Sequence, residues 1–308
     1  MSEKKYRLVT RGDFDGVVCG TLLKELEMID DTLFVEPADM QAGRVEVGPN
    51  DIISNLPYME NVYMCFNHHI SEVERIGERN NLVIDADAPS AARVIYNHFG
   101  GKQGFPDISE ELMDAVDQAD SAQYSEEDIL APSDWTLLNF LVDPATGLDR
   151  AKAFSITNEQ FIEDLMTYCR HNPIEEILQL PDVLERFEIY TYDSEFAERQ
   201  YKRCSRIEGK VVVSDMRDEE ELVPVNRFLV YALYPDCNTS IRIEKTRDGR
   251  VRIAAGRSIL DRSANANIGS LMLAHGGGGL AAAGACRVEA DKVDDVVSAL
   301  VRDINAAG

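Results

Sequence analysis

The chain lacks any long apolar run. None of its 308 residues lies in a stretch that approaches the roughly 18 to 20 consecutive apolar residues of a membrane-spanning helix. The first residues, Met1 to Lys5, lead directly into a β-rich segment without the apolar core of a signal peptide. These absences argue against a membrane partner and predict a cytoplasmic protein.

The chain also lacks paired cysteines. Its six cysteines are scattered and include no CxxC pair, in a chain too large to need disulfide bonds for its stability. We expect them to be reduced, mostly buried, small hydrophobic residues. Cys19 and Cys65 lie near the motifs described below, where a reactive or metal-binding role is the alternative.

Basic residues are scarce as well. Lysine and arginine number 31 against 55 acidic residues, which gives a formal net charge of −24. Such a charge repels long polyanions, so the sequence disfavours a partner of long duplex nucleic acid. An anionic substrate would need metal ions or local arginines, and the acidity is equally compatible with a role in solubility alone.

Short β-rich runs alternate with amphipathic helical runs in the first third of the chain. This alternation predicts an α/β fold with a mostly parallel sheet and helices on both faces. After a largely helical stretch, a new β-rich unit begins near Lys210, with a hairpin turn at Arg247-Asp248-Gly249. We therefore predict a first domain at 1–180, a connecting helix at 181–207 and a smaller α/β domain at 208–308.

The most distinctive motif is Arg11-Gly12-Asp13-Phe14-Asp15-Gly16, which lies between a predicted strand and a predicted helix. Asp13 and Asp15 at i and i+2 can converge on one cation, because alternate residues of an extended segment point the same way. A calcium loop or a plain turn would have the same pattern.

Two further polar segments follow predicted elements. Asn67-His68-His69 comes after a strand, where at least one imidazole must face the loop side and could bind a metal. Asp117 and Asp120 share one face of a predicted helix, and Asp120 at its C-terminus needs a cation or a donor. Solvent-exposed polar side chains are the alternative at both places.

The segment Gly276 to Gly284 consists almost entirely of small residues. It would allow a phosphate or another surface to approach the main chain, or it could be a flexible turn before a strand.

In this order along the chain, these motifs resemble the DHH-superfamily phosphoesterases, in particular their exopolyphosphatase-like bacterial branch. The segments Asn55-Leu56-Pro57-Tyr58, Pro89 to Tyr96 and Asp117 to Tyr124 add to the resemblance, which covers nearly the whole chain. The resemblance implies a DHH domain, a connecting helix and a DHHA1 domain, with the active site in the cleft between the domains.

The resemblance also implies roles for individual residues, and with them a metal-dependent hydrolase that uses one or two Mn²⁺ or Mg²⁺ ions. The implied metal ligands are Asp13, Asp15, His68 and Asp120, and the implied catalytic groups are Arg11 and His69. The implied substrate-binding residues of the DHHA1 domain are Arg257, Ser258, Gly277, Gly278 and Gly279. The substrate would be polyphosphate, a nucleotide or a short oligonucleotide, and a homodimer is possible.

Four positions depart from the wider family pattern. Arg11 stands where many members have a ligand histidine, and Asn55 stands where they have a metal-bridging aspartate. Asn67 replaces an aspartate that would orient the ligand histidine, a loss that typically costs about 10 to 100-fold in metal affinity or activity. Leu280 replaces a phosphate-binding histidine. The alternative function is therefore a weakly active or inactive binding protein of the same fold, with a regulatory role.

Overall fold

The structure, a computed structural model, describes residues 5–69, 72, 75–148, 153–246 and 248–308. The chain forms two compact units, one of Met1–Gln123 and Ser133–Glu188 and the other of Tyr124–Pro132 and Ile189–Gly308. The sequence boundaries place Tyr124–Pro132 in the first domain, whereas this segment belongs to the second unit. There the Ile129 carbonyl accepts a hydrogen bond from Asn226 Nδ2 at 3.0 Å, a contact between distant residues that no local pattern reveals.

The first unit contains a five-stranded sheet in the order β2-β1-β3-β4-β5, and all its strand pairs are parallel. Its strands are β1 (Tyr6–Thr10), β2 (Ile29–Phe34), β3 (Asp51–Ser54), β4 (Met64–Asn67) and β5 (Leu82–Ile84). The predicted α/β class is confirmed. Val9, Ile53 and Cys65 are fully buried on three adjacent strands and pack in one apolar cluster.

Most helices of the first unit begin at a residue whose side chain can cap them. These helices are α1 (Phe14–Glu25), α2 (Pro37–Gln41), α3 (Ala91–His98), α4 (Glu110–Asp120), α6 (Asp134–Val142), α7 (Asn158–Tyr168) and α8 (Ile174–Ile177). The helix between α4 and α6 in the sequence, α5 (Glu126–Leu130), belongs to the second unit. Asp13 caps α1, Ser90 caps α3 and Ser109 caps α4, each by accepting a main-chain hydrogen bond. These caps fix where α1 and α3 begin, next to the polar motifs.

The long helix α9 (Pro181–Cys204) carries the chain from the first unit into the second. The predicted connecting helix extended to residue 207, but Ser205–Glu208 forms strand β6 instead. β6 pairs in antiparallel fashion with β7 (Val211–Asp215), and Gly209 makes the turn between them with φ of +68°. The sheet pairing therefore ends the helix earlier than its polar, helix-favouring sequence suggests.

The second unit has a six-stranded sheet in the order β10-β11-β9-β8-β7-β6. Its remaining elements are α10 (Leu229–Leu233), β8 (Thr239–Lys245), β9 (Val251–Arg257), α11 (Ile268–Leu273), β10 (Gly278–Gly279), β11 (Ala283–Val288) and α12 (Val293–Ala307). In the predicted hairpin turn Arg247 lies outside the described residues, and Gly249 adopts φ of +82° between the antiparallel strands β8 and β9.

The glycine run is part of this sheet. Gly278 pairs with Ala285 and Gly279 with Gly284, so the run is an ordered edge strand rather than only a turn. A Cβ atom at Gly277 would lie 2.1 Å from the Ala285 carbonyl oxygen, which explains why glycine is needed there.

In the described part of the chain, no helix is both long and apolar enough to cross a membrane.

Candidate metal centre

The polar motifs of the first unit meet at the carboxyl edge of its parallel sheet. β1 ends at Thr10, β3 at Ser54 and β4 at Asn67, and parallel strands end at the same edge. The ends of β1 and β3 are joined by hydrogen bonds from Thr10 Oγ1 to the Ser54 carbonyl at 3.2 Å and from Ser54 Oγ to Thr10 Oγ1 at 2.9 Å. This edge therefore brings together residues that lie far apart in the sequence.

Three of the four predicted metal ligands converge. Asp15, His68 and Asp120 each offer a ligand atom, and these atoms lie within 4.8 Å of one another. His68 Nε2 is 3.0 Å from Asp120 Oδ2. Two carboxylates and one imidazole are a donor set that suits a divalent cation such as Mn²⁺.

The ring of His68 is oriented as a metal ligand requires. Its Nδ1 lies 3.2 Å from the Ala88 carbonyl, which can only accept, so Nδ1 carries a proton. In the neutral ring Nε2 then has a lone pair that faces the Asp120 carboxylate, an unfavourable meeting of two acceptors. A cation would satisfy both groups, so the residues present fit a bound metal ion.

The ionisation of His68 reflects the same arrangement. Burial disfavours charge on the ring, but the Asp120 carboxylate, and to a smaller extent that of Asp15, outweighs burial and raises the pKa of His68. In the absence of a cation, a second proton on the imidazole takes over the role of the positive charge.

Asp15 is held at the start of α3. Its Oδ1 accepts from the main-chain N–H of Ala92 at 2.8 Å and its Oδ2 from that of Ala91 at 3.2 Å. Burial, followed by the charges of Asp120 and Asp13, raises the pKa of Asp15 to about 8. The helix N-terminus fixes this carboxylate, while its neighbours make an added positive charge favourable.

Asp13, the fourth predicted ligand, is engaged differently. Its Oδ1 accepts from Gly16 N at 3.0 Å as the cap of α1, and its Oδ2 lies 3.1 Å from Arg11 Nη1. Asp13 is not among the three residues that converge. Burial raises the pKa of Asp13 and the Arg11 charge opposes that rise.

Asn67 is a fully engaged buried amide. Its Nδ2 donates to the Leu56 carbonyl at 2.8 Å, and its Oδ1 accepts from the main-chain N–H groups of His68 and His69 at 2.8 and 2.9 Å. The same oxygen accepts from His69 Nδ1 at 2.8 Å. The sequence interpretation linked position 67 to orientation of the ligand ring of His68, but the side chain contacts the ring of His69, and the Ala88 carbonyl orients His68.

The amide side chain of Asn55, which follows β3, differs from that of Asn67 in its hydrogen bonding. Its main-chain N–H donates to the Phe66 carbonyl at 3.1 Å, and its backbone has φ of +54°. The side chain is only 3% exposed, yet neither amide atom has a hydrogen-bond partner among the described residues. A buried amide without partners is costly, so a ligand is expected to satisfy it.

The two aspartates of α4 have different surroundings. Asp117 accepts from Ser90 Oγ at 2.7 Å and from Arg93 Nε at 2.7 Å, so it fastens α4 to the start of α3. Asp120, one turn later, faces His68. Position on the helix alone could not separate these roles.

The predicted substrate-binding residues of the second unit take part in local hydrogen bonds. Arg257 donates to the main-chain carbonyls of Ala266 and Asn265, with Nε 2.8 Å from the first and Nη2 2.9 Å from the second. Ser258 Oγ accepts from the N–H groups of Leu260 and Asp261. These contacts shape the loop after β9.

Leu280 lies in the turn between β10 and β11. Its side chain is 57% exposed, and its carbonyl accepts from Gly269 N at 2.8 Å. A Cβ atom at Gly269 would lie 2.4 Å from the Gly279 carbonyl oxygen, so the glycine run packs closely on α11.

The sequence interpretation missed the main-chain groups of the site. These are the Ala88 carbonyl and the N–H groups of Ala91 and Ala92. The signal available for the N–H groups was Ser90, an N-cap residue that marks a helix start and therefore a set of free donors.

The chain is similar to solved structures of phosphoesterases. The pGpG-specific phosphodiesterase PggH from Vibrio cholerae is 46% identical, with a TM-score of 0.85, and the match covers 99% of this chain and 100% of that one. Two structures of RecJ from Thermus thermophilus, one in complex with Mn²⁺ and one with Mg²⁺, each match at 12% identity and a TM-score of 0.49. The match covers 96% of this chain and 51% of RecJ in the Mn²⁺ complex, and 97% and 49% in the Mg²⁺ complex. No protein-family model and no curated protein matches the sequence.

Proposed function

This chain belongs to the DHH superfamily of phosphoesterases, and we propose that it is a metal-dependent phosphodiesterase that hydrolyses a short linear dinucleotide such as pGpG. The observation that carries the proposal is the convergence of Asp15, His68 and Asp120 in a chain with 46% identity to a pGpG-specific phosphodiesterase. A dinucleotide thus takes precedence over polyphosphate as the expected substrate.

The proposed cofactor is Mn²⁺ or Mg²⁺, held by Asp15, His68 and Asp120. When bound, such an ion polarises a phosphoryl oxygen and lowers the pKa of a bound water so that hydroxide forms near neutral pH. The protein fixes the geometry of the ligands beforehand, since main-chain groups hold both the Asp15 carboxylate and the His68 ring.

Arg11 and His69 are the proposed contacts for the reacting phosphate. Arg11 uses Nη1 to pair with Asp13, and its side chain is 37% exposed, so the rest of the guanidinium can bind phosphoryl oxygens. His69 is held through Nδ1 by Asn67, which leaves Nε2 for the substrate. An anionic phosphate next to the ring favours the protonated form, in which Nε2 donates.

The charge of the chain agrees with a small substrate. A net charge of −24 repels long nucleic acids at a distance, whereas a dinucleotide needs only a few local cations. The scarcity of lysine and arginine therefore favours a compact anion over a polymer.

The test is to incubate the protein with pGpG and Mn²⁺ or Mg²⁺ and to measure GMP by chromatography, with phosphate release from polyphosphate in parallel. We expect metal-dependent GMP formation that exceeds release from polyphosphate. Asp120→Asn should lower the rate by at least the roughly 10 to 100-fold typical of weakened metal sites. Binding of pGpG without GMP formation would instead identify a binding protein.

A further inference from the structure

Two features next to the metal centre have no role in holding the proposed cation. The first is the pair of Arg11 and Asp13, whose charged atoms lie 3.1 Å apart. The second is the buried carboxamide of Asn55, which has no hydrogen-bond partner among the described residues. Both features affect how many cations this edge of the sheet can accept.

The described residues offer one cluster of ligands whose charge is left for an ion. Asp13 Oδ2 pairs with the permanent cation of Arg11, whereas the Asp15 oxygens accept from neutral main-chain N–H groups and keep their charge for an ion. Asn55 is neutral, and an amide oxygen can bind one cation but does not supply the negative charge with which a carboxylate bridges two. Within the described part of the chain, the remaining cluster is Asp15, His68 and Asp120.

The balance of charge leads to the same count. The guanidinium of Arg11 interacts first with the charge of Asp13 and also with those of Glu36, Asp120 and Asp143, so it already supplies positive charge to this group of carboxylates. A second divalent ion beside Asp13 would lie close to this permanent cation and would be repelled by it.

From ligand supply and charge together, we infer that the centre binds a single divalent cation and that Arg11, fixed by Asp13, takes the place of a second one. The inference rests on the proposed function and specifies which positive groups bind the phosphoryl group, namely one metal ion and Arg11. Arg11 then binds the phosphoryl group with donors other than the Nη1 group that pairs with Asp13, as a permanent cation. Asn55 completes the site as a neutral group.

The first test counts ions in the wild-type protein. Mn²⁺ is titrated by calorimetry, and electron paramagnetic resonance of the saturated protein reports whether bound Mn²⁺ ions are isolated or coupled. We expect one ion per chain with the spectrum of an isolated Mn²⁺. Two ions per chain with a coupled spectrum would overturn the inference.

The second test restores the missing ligands. In the double variant Arg11→Gln with Asn55→Asp, Asp13 regains a free oxygen and position 55 gains a carboxylate, so the count should rise to two. The matched control is Arg44→Gln, which removes an arginine that pairs with Asp39 at the surface, and the count should stay at one. A folded double variant that still binds one ion would contradict the argument; if the double variant does not fold, the wild-type count decides.

The two proposals can fail separately. GMP formation with two bound ions would overturn the single-ion inference and leave the proposed function intact. One bound ion without GMP formation would support the inference and contradict the proposed function.

Discussion

Asn67→Asp is the substitution that restores the aspartate of the family pattern, and we expect it to destabilise this protein. The amide of Asn67 is 1% exposed and donates to the Leu56 carbonyl at 2.8 Å. A carboxylate has no proton to donate, so the Leu56 carbonyl loses its donor and faces a charged oxygen. Loss of a buried partner costs about 1–3 kcal/mol, and we expect the free energy of unfolding to fall by that amount.

A charged acceptor forms stronger hydrogen bonds than an amide oxygen, and this effect opposes the loss of stability. In Asn67→Asp, Oδ1 would still accept from the N–H groups of His68 and His69 and from the His69 ring, and it would do so with charge assistance. These contacts already exist in the wild type, so they are strengthened rather than gained. The clash with the Leu56 carbonyl is new, and for that reason we expect it to dominate.

Urea denaturation of the metal-free protein measures the change in stability, and Mn²⁺ calorimetry measures the effect on metal binding. The matched control is Asn172→Asp, which removes a similar bond, from Nδ2 to the Tyr168 carbonyl at 2.9 Å, at an exposed position. We expect a change of less than about 1 kcal/mol there, because water replaces the lost donor. An Asn67→Asp protein as stable as the wild type, with tighter Mn²⁺ binding, would refute the reasoning.

Three further predictions concern the metal centre and the core of the first unit. Asp120→Asn should abolish Mn²⁺ uptake in calorimetry and change the metal-free melting temperature little, because Asp15 and Asp13 lose a repulsive neighbour while His68 loses its charged partner. Asp117→Asn should instead retain uptake and cost about 1–3 kcal/mol, because Ser90 and Arg93 lose a charged acceptor. Mn²⁺ at 100 times its dissociation constant should stabilise the wild type by about 2.7 kcal/mol in urea denaturation, and a chelator should reverse the gain. Arg186 is fully buried, and its Cζ atom lies 3.8 Å from the ring centre of Phe161 and 4.2 Å from that of Phe154. In urea denaturation, Arg186→Ala should lower the free energy of unfolding by about 2–5 kcal/mol because it leaves a cavity, and Arg186→Met should lower it clearly less.

Local patterns were sufficient for most of the elements. The helix that carries Asp117 and Asp120, the connecting helix apart from its last residues, and the hairpin turn at Gly249 are confirmed. The strand at Ser205–Glu208 and the short strand at Gly278–Gly279 were missed. Both depend on pairing with a partner strand, which outweighs the preference of the segment itself.

The location of the candidate site could be predicted from the sequence, but the contacts of its individual residues could not. The motifs at Asp15, His68 and Asp120 all follow or end predicted elements, and in a parallel sheet that position indicates a shared edge. Periodicity could not separate Asp120 from Asp117, because both lie on the same face of one helix, and only the family resemblance selected Asp120. Ser90 and Arg93, which engage Asp117, come from a different helix whose docking is a tertiary property.

What the sequence determined by itself is therefore the α/β class, the order of the motifs and the set of residues from which a metal centre could form, since these depend on periodicity, caps and side-chain chemistry. The tertiary structure alone decided which of those residues meet. It placed His68 between the Ala88 carbonyl and Asp120, directed Asp13 to Arg11 and left the Asn55 amide buried without a partner among the described residues. The physical reason is that hydrogen-bond geometry depends on distances of a few ångströms between elements far apart in the chain, which strand order and helix docking set and local pattern does not.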